Sequence, residues 1–226
     1  ARIAAGAALD ISALTVLDNL SAAADGTVGG MFAQGDVEVS GEADLETLAT
    51  VGLQAQLAAG GAATVTARSE VPGLEVEATG GAGGLAGAGG AWADFRFTTM
   101  YAEVLLSGWS SLTAAGDVDL SAVSVVDLSA YVSQDLGAVT SGAGVLAEVV
   151  TTTLTTVTVD DAAMVSGDTV TITASADQLW GHATSDCDVK GLTAAVTSTT
   201  RVWYVVTSSV WIDWKATVAR RTALNS

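Results

Sequence analysis

Reactive side chains are scarce in this chain of 226 residues, which has one cysteine, Cys187, one histidine, His182, and two lysines, Lys190 and Lys215. A single cysteine excludes an internal disulfide framework and leaves the redox compartment open. Positive charge is also sparse: 8 Lys and Arg stand against 25 Asp and Glu, for a formal net charge of -17. Wrapping nucleic acid requires a basic stripe to neutralise phosphates, so that class is excluded. Asp outnumbers Glu, a balance that suits a high-salt or cation-rich setting as well as ordinary solubility. Aromatic residues are 5% of the chain although hydrophobic residues are 50%, and 25 glycines add no side chain. Small residues favour thin sheets and close backbone approach over a thick aromatic core. Long apolar runs are missing too. The longest uncharged stretch, Leu48 to Ala67, is interrupted by Gln54, Gln56, Gly60 and Gly61 and makes a poor membrane span.

The same scarcity narrows the chemistry. His182 and Cys187 share the segment LWGHATSDCDVKG with Asp186 and Asp188, so a metal site or a thiol nucleophile is conceivable there. The spacing matches no known ligand set, and a polar surface segment with one buried thiol accounts for it as well. Asp213, between Trp211 and Trp214, is the best single carboxylate for glycosidase-type chemistry, which needs a second carboxyl facing it. Its simpler role is to neutralise Lys215 on the same strand face. Asp160, Asp161 and Asp168 flank a Ser166-Gly167 turn signal and read as turn residues, with a Ca²⁺ loop as the alternative. The chain is expected to be non-enzymatic.

What is present is alternation. Asp36 to Ser40, Ala63 to Ala67, Leu74 to Ala78 and Asp168 to Ala174 all read at period two with β-branched residues and nearby turn signals. Gly41 to Leu57 fits a strand as well as a helix. IAAGAALDISALTVLDNLSA, from Ile3 to Ala22, returns as LTAAGDVDLSAVSVVDLSA, from Leu112 to Ala130. This repeat divides the chain into two β-rich halves, 1–112 and 113–226, unless the whole forms one domain.

A shorter period of eight places Asp119, Asp127 and Asp135 in register. If those octads stack as rungs about 4.8 Å apart, the three aspartates form a like-charge column. Its cost is about 0.9 kcal/mol per adjacent pair in bulk water, which a hard cation such as Ca²⁺ relieves. An extended ladder with solvated carboxylates needs no cation, and no other cofactor is implied. ATGGAGGLAGAGGAW, Ala78 to Trp92, contains a G-x-G-x-x-A match that no helix follows, so a glycine ridge or loop is expected in place of a phosphate cradle.

The tail, TTRVWYVVTSSVWIDWKATVARR, holds Trp203, Trp211 and Trp214 and the cations Arg201, Lys215, Arg220 and Arg221. Alternation puts Val210, Ile212, Trp214, Ala216 and Val218 on a core face and Trp211, Asp213, Lys215 and Thr217 outside. Thr207-Ser208-Ser209 reads as a hairpin bend. Trp203, Trp211, Asp213, Lys215, Arg220 and Arg221 are therefore the candidate binding residues, for a subunit contact or a ligand. Together these features predict an all-β chain with little helix, in a sandwich-like or repetitive β architecture. Its composition is similar to that of virion shell, tail or fibre components and of surface filaments. The expectation is a self-associating structural protein of a virion or extracellular surface, with copies of itself and other assembly proteins as partners. The alternative is a carbohydrate-binding or adhesive module using the C-terminal tryptophans.

Overall fold

The computed structural model describes residues 1–18 and 20–220. Among these there are twelve strands and no helix: β1 (Arg2–Ala5), β2 (Leu9–Val16), β3 (Leu20–Gly29), β4 (Phe32–Val51), β5 (Gln56–Ala59), β6 (Ala63–Leu106), β7 (Ser111–Ala114), β8 (Val118–Val159), β9 (Met164–Gly167), β10 (Val170–Lys190), β11 (Thr193–Ile212) and β12 (Thr217–Arg220). The all-β expectation holds. Gly41 to Leu57 is strand, then a turn, then strand again.

Every ladder is parallel, and its register gives the architecture. Arg2 lies beside Gln56, Gln56 beside Ser111, Ser111 beside Met164 and Met164 beside Thr217. The chain therefore winds as a parallel β-solenoid in which one coil takes about 54 residues. Coil 1 is 1–55, coil 2 is 56–110, coil 3 is 111–163 and coil 4 is 164–216, with β12 opening a fifth. The Ile3 and Leu112 motifs lie two coils apart, and Leu57-Ala58-Ala59-Gly60 is the copy between them. Residue 112 itself falls inside β7, which pairs with β5 on one side and β9 on the other.

The octads need correction. They follow one another along β8 and do not occupy successive rungs, because the stacking period is that of the coil.

Each coil is a flattened loop with two legs face to face. Ser69 on the outgoing leg of β6 donates from Oγ to the carbonyl of Tyr101 on its returning leg at 3.0 Å. Thr15 does the same to Glu46 in coil 1 at 3.3 Å. A β-carbon added to Gly26 would meet Cγ2 of Val37, at 2.8 Å, again across the legs of one coil. The legs meet near Leu85, and each is about 70 Å long at about 3.3 Å per residue. The coil bends where its ladder is interrupted, at Pro72-Gly73 and at Thr98-Thr99. Pro72 is tolerated at such a break because it has no N–H to give to a ladder.

The interior tapers. Near the base, Val65, Val104, Leu106, Leu112, Leu120 and Val157 fill the space between the legs, with Phe97, Met100 and Leu128 farther out. Toward the tip only Ala33, Ala82, Leu136 and Ala143 remain. The glycine-rich segment lies there as a close-packed ridge. Gly80 and Gly89 bracket the buried amide of Gln134, and a β-carbon at Gly84 would run into the carbonyl of Gly30 in the next coil.

Three features of the tail differ from expectation, the first being that Val210, Ile212 and Val218 of the expected core face are 44%, 48% and 39% exposed, because no further coil covers them. Thr207, Ser208 and Ser209 continue straight through β11, where Ser208 hydrogen-bonds Thr155 (2.7 Å) and Ser209 bonds Thr156 (3.3 Å) on the adjacent coil. A parallel neighbour already supplies their backbone partners, so no hairpin forms. Trp214 is 84% exposed and not in the core. It sits in a tight turn from Asp213 to Ala216, closed by a 2.9 Å bond from Ala216 N–H to Asp213 C=O, which breaks the alternation that placed it inside.

Candidate functional site

The features that set this molecule apart from a closed β domain are its two end coils. Their apolar positions repeat those of the inner coils. In the Leu20, Leu74, Leu128 and Gly181 column, Leu74 and Leu128 are buried while Leu20 is 36% exposed. In the Leu45, Met100, Thr153 and Val206 column, Val206 is 45% exposed at the far end. Backbone edges are open as well. Among the described residues β10 and β11 pair only with β8, and β2, β3 and β4 pair only with β6, so long parallel edges there carry unpaired N–H and C=O groups at both ends.

The candidate binding residues lie on the coil 4 end. Trp203 and Trp211 point outward from β11 and are 60% and 67% exposed. Asp213 opens the tight turn, and its carboxylate accepts from the backbone N–H of Lys215 at 3.2 Å. Lys215 lies 4.7 Å over the Trp214 ring and reaches Asp161 at 3.3 Å. Asp213 thus orders the turn, while Asp161 receives the ammonium. Arg220 in β12 donates to the carbonyl of Asp168 at 3.0 Å, tying the fifth rung to the fourth. Arg221 lies outside the described residues.

One electrostatic chain crosses coils 2 to 4. Arg96 contacts Asp94 and Glu148, each at 3.2 Å, and Arg201 contacts the other oxygen of Glu148 at 3.3 Å. Glu148 is largely buried while both guanidinium groups are about half exposed. The Arg96 guanidinium is held above its ordinary pKa chiefly by its hydrogen bond to Asp94. Arg96 and Glu148 do not stand out in the sequence, because residues 52 apart become neighbours only once the coil length is known.

The other candidates are not assembled into sites. Asp119 stands between Thr64 and Thr171, Asp127 beside Trp180, and Asp135 between Gly81 and Asp188, so the three aspartates form no column. Asp135 meets Asp188 instead, and Lys190 neutralises Asp188 at 2.8 Å. His182 bonds Thr184 at 2.7 Å. Cys187, five residues further on, faces inward beside Gln134. Burial first, then Asp186, Asp188 and Asp135, pushes its thiol up, which works against a thiolate nucleophile. Among the described residues no group of three or more His, Cys, Asp or Glu side chains could hold a metal, and no helix is long and apolar enough to cross a membrane. A groove of about 520 Å³ is lined by Phe32, Gln34 and small residues such as Ala88 and Thr140, without a titratable group.

Comparison with protein-family models, with curated protein sequences and with solved structures finds no match.

Proposed function

We propose that this chain is a non-enzymatic structural protein that self-associates in many copies, as a component of a virion shell, tail or fibre or of a comparable surface assembly. The observation that carries this reading is the pair of open end coils. Long, flat, apolar edge strands are sites of association unless they are covered, and a protein that keeps two of them is suited to being covered by neighbours. The test is the state of the purified chain at high concentration, by light scattering and electron microscopy. Filaments, sheets or closed shells are expected, and a folded, dispersed monomer at all concentrations defeats the proposal.

The exposed rings of Trp203, Trp211 and Trp214 support a second reading, a carbohydrate-binding or adhesive surface. It predicts a saturable change in tryptophan fluorescence with a glycan. A glycan-silent protein that assembles leaves only the first.

A further inference from the structure

Building on that assembly reading, we infer that copies stack head to tail, with the coil 1 edge of one molecule seated on the coil 4 edge of the next, so that the solenoid continues across the junction. Three observations give the contact this polarity.

The first is charge. Residues 1–55 carry eight carboxylates against one cation, Arg2, whereas residues 164–220 carry five carboxylates against Lys190, Arg201, Lys215 and Arg220. Meeting two coil 1 edges would set eight carboxylates against eight. Meeting coil 1 with coil 4 brings the acidic end to the end holding half of the chain's cations.

The second is the pairing of specific side chains. Within the molecule, Arg96 reaches diagonally across one rung to Glu148, at 3.2 Å, from the column of Glu42 to the column of Ser40. Arg201 occupies the Ser40 column at the open end. In a continued stack it stands over Ser40 of the next copy, with Glu38 and Glu42 on either diagonal, within the reach of long side chains. One meeting, Asp186 over Asp25, opposes the stack. The chain already tolerates such a pair where Asp188 follows Asp135.

The third is apolar matching. Continuing the columns puts Leu9 on Val170 and Ile11 on Ile172, so that side chains left partly exposed at both ends become an interior layer, and it puts Ala49 and Val51, already buried in coil 1, over the exposed Val210 and Ile212. A heterologous contact of this kind does not close and generates an open filament. It also creates a contest. β12 already occupies the edge of β9, the place that β1 of the incoming copy would take. One of these two four-residue strands must yield at each junction.

The test blocks one end at a time. Leu20→Lys puts an ammonium in the interior column at the head, and Val206→Lys does so at the tail. In an isolated molecule each lysine can reach water, whereas a stacked neighbour would bury it. Each variant, checked for native circular dichroism, is expected to be monomeric by itself. An equimolar mixture should give dimers and nothing larger, because only one intact head and one intact tail remain. A dimer formed by either variant alone indicates a two-fold end contact and overturns the polarity. Variants that assemble like the parent chain overturn end stacking while leaving the assembly reading intact, and a parent chain that stays monomeric defeats both. Cys187 supplies a readout that needs no substitution, since it is the only thiol and faces inward at the coil 4 edge. Maleimide should label it several-fold more slowly in the assembled protein than in the dilute one, and an unchanged rate counts against the stack.

Discussion

The inner coils and the end coils are written in the same residues and meet different fates. Ile11, Val65, Leu120 and Ile172 form one column, yet only Val65 and Leu120 are buried, while the two isoleucines keep an open side. On the outgoing legs burial follows position in the stack, because an end rung lacks a neighbour on one side, whereas Leu45, Ala49 and Val51 on the returning leg of coil 1 are already buried. In such a quasi-one-dimensional protein, stability is approximately a sum of rung terms and rung-to-rung interfaces. The two end coils each lack one interface, and the free energy of covering them is available to a partner.

The largest expected effect compares one column at two depths. Leu128→Ala leaves a cavity at a fully covered position between Leu74 and Gly181 and should cost about 2–5 kcal/mol. Leu20→Ala, in the same column but open to water, should cost about 1 kcal/mol. Urea midpoints measured on dilute protein decide between them. Equal losses would mean that coil 1 is covered in solution, and the contrast between inner and end coils would fail.

A smaller effect separates the turns at the base of the coils. Gln54, Trp109 and Ala162 hold the third position of successive tight turns with φ of 57, 59 and 58, the left-handed region that favours glycine, whereas Lys215 at the matching place in coil 4 does not. Ala162→Gly should therefore stabilise the protein by about 1 kcal/mol, since relief of the left-handed strain outweighs the added freedom of the unfolded chain. Lys215→Gly should destabilise it, through the added freedom of the unfolded chain and the loss of the contacts to Asp161 and Trp214. Thermal unfolding of the two variants tests the sign directly, and a gain at both positions would remove the distinction between turn 4 and the others.

How much of this was legible depended on range. Alternation at Ala63–Ala67 and Leu74–Ala78 was enough to fix strand and face, because a period of two is written locally. The glycine run was legible as a ridge or a loop from its composition, and its place in β6 makes it a ridge. The coil length was not, since Ile3, Leu57, Leu112 and Val165 share only apolar character and their spacing is spread over whole rungs. AAG recurs after one coil, in Ala58-Ala59-Gly60, but Leu9-Asp10-Ile11-Ser12-Ala13 matches Val118-Asp119-Leu120-Ser121-Ala122 two coils on and meets only Ala63-Thr64-Val65-Thr66-Ala67 at one, so the repeat emerged at twice its length. The octads of β8 misled in the opposite direction. They repeat along the strand, and nothing in their sequence distinguishes repetition along a rung from repetition across rungs. Trp214 failed because a turn interrupts the alternation without a glycine or a proline to announce it.

The smallest effect concerns alkaline pH and again compares an inner coil with an end. Tyr101 in coil 2 has its phenol pushed well above its ordinary value of 10.0, first by burial, then by its 2.5 Å hydrogen bond to Glu103 and the charges of Glu103 and Glu46. Tyr204 in coil 4 is raised by burial and by Asp127, and Cys187 by burial and its aspartates. A folded-state pKa above the unfolded one means that the native protein keeps a proton the unfolded chain has lost. That stability is fully present below the unfolded pKa and declines as pH rises toward the folded one. Stability should therefore begin to fall above about pH 9, where an unfolded thiol ionises, and fall more steeply above about pH 10 as the phenols follow. Tyr101→Phe should flatten the slope above about pH 10 more than Tyr204→Phe does, because the inner phenol also has the carboxylate of Glu103 holding its proton. Denaturant titrations across that range check it. A steeper slope restored to Tyr204 in the assembled protein would show that stacking turns the end coil into an inner one.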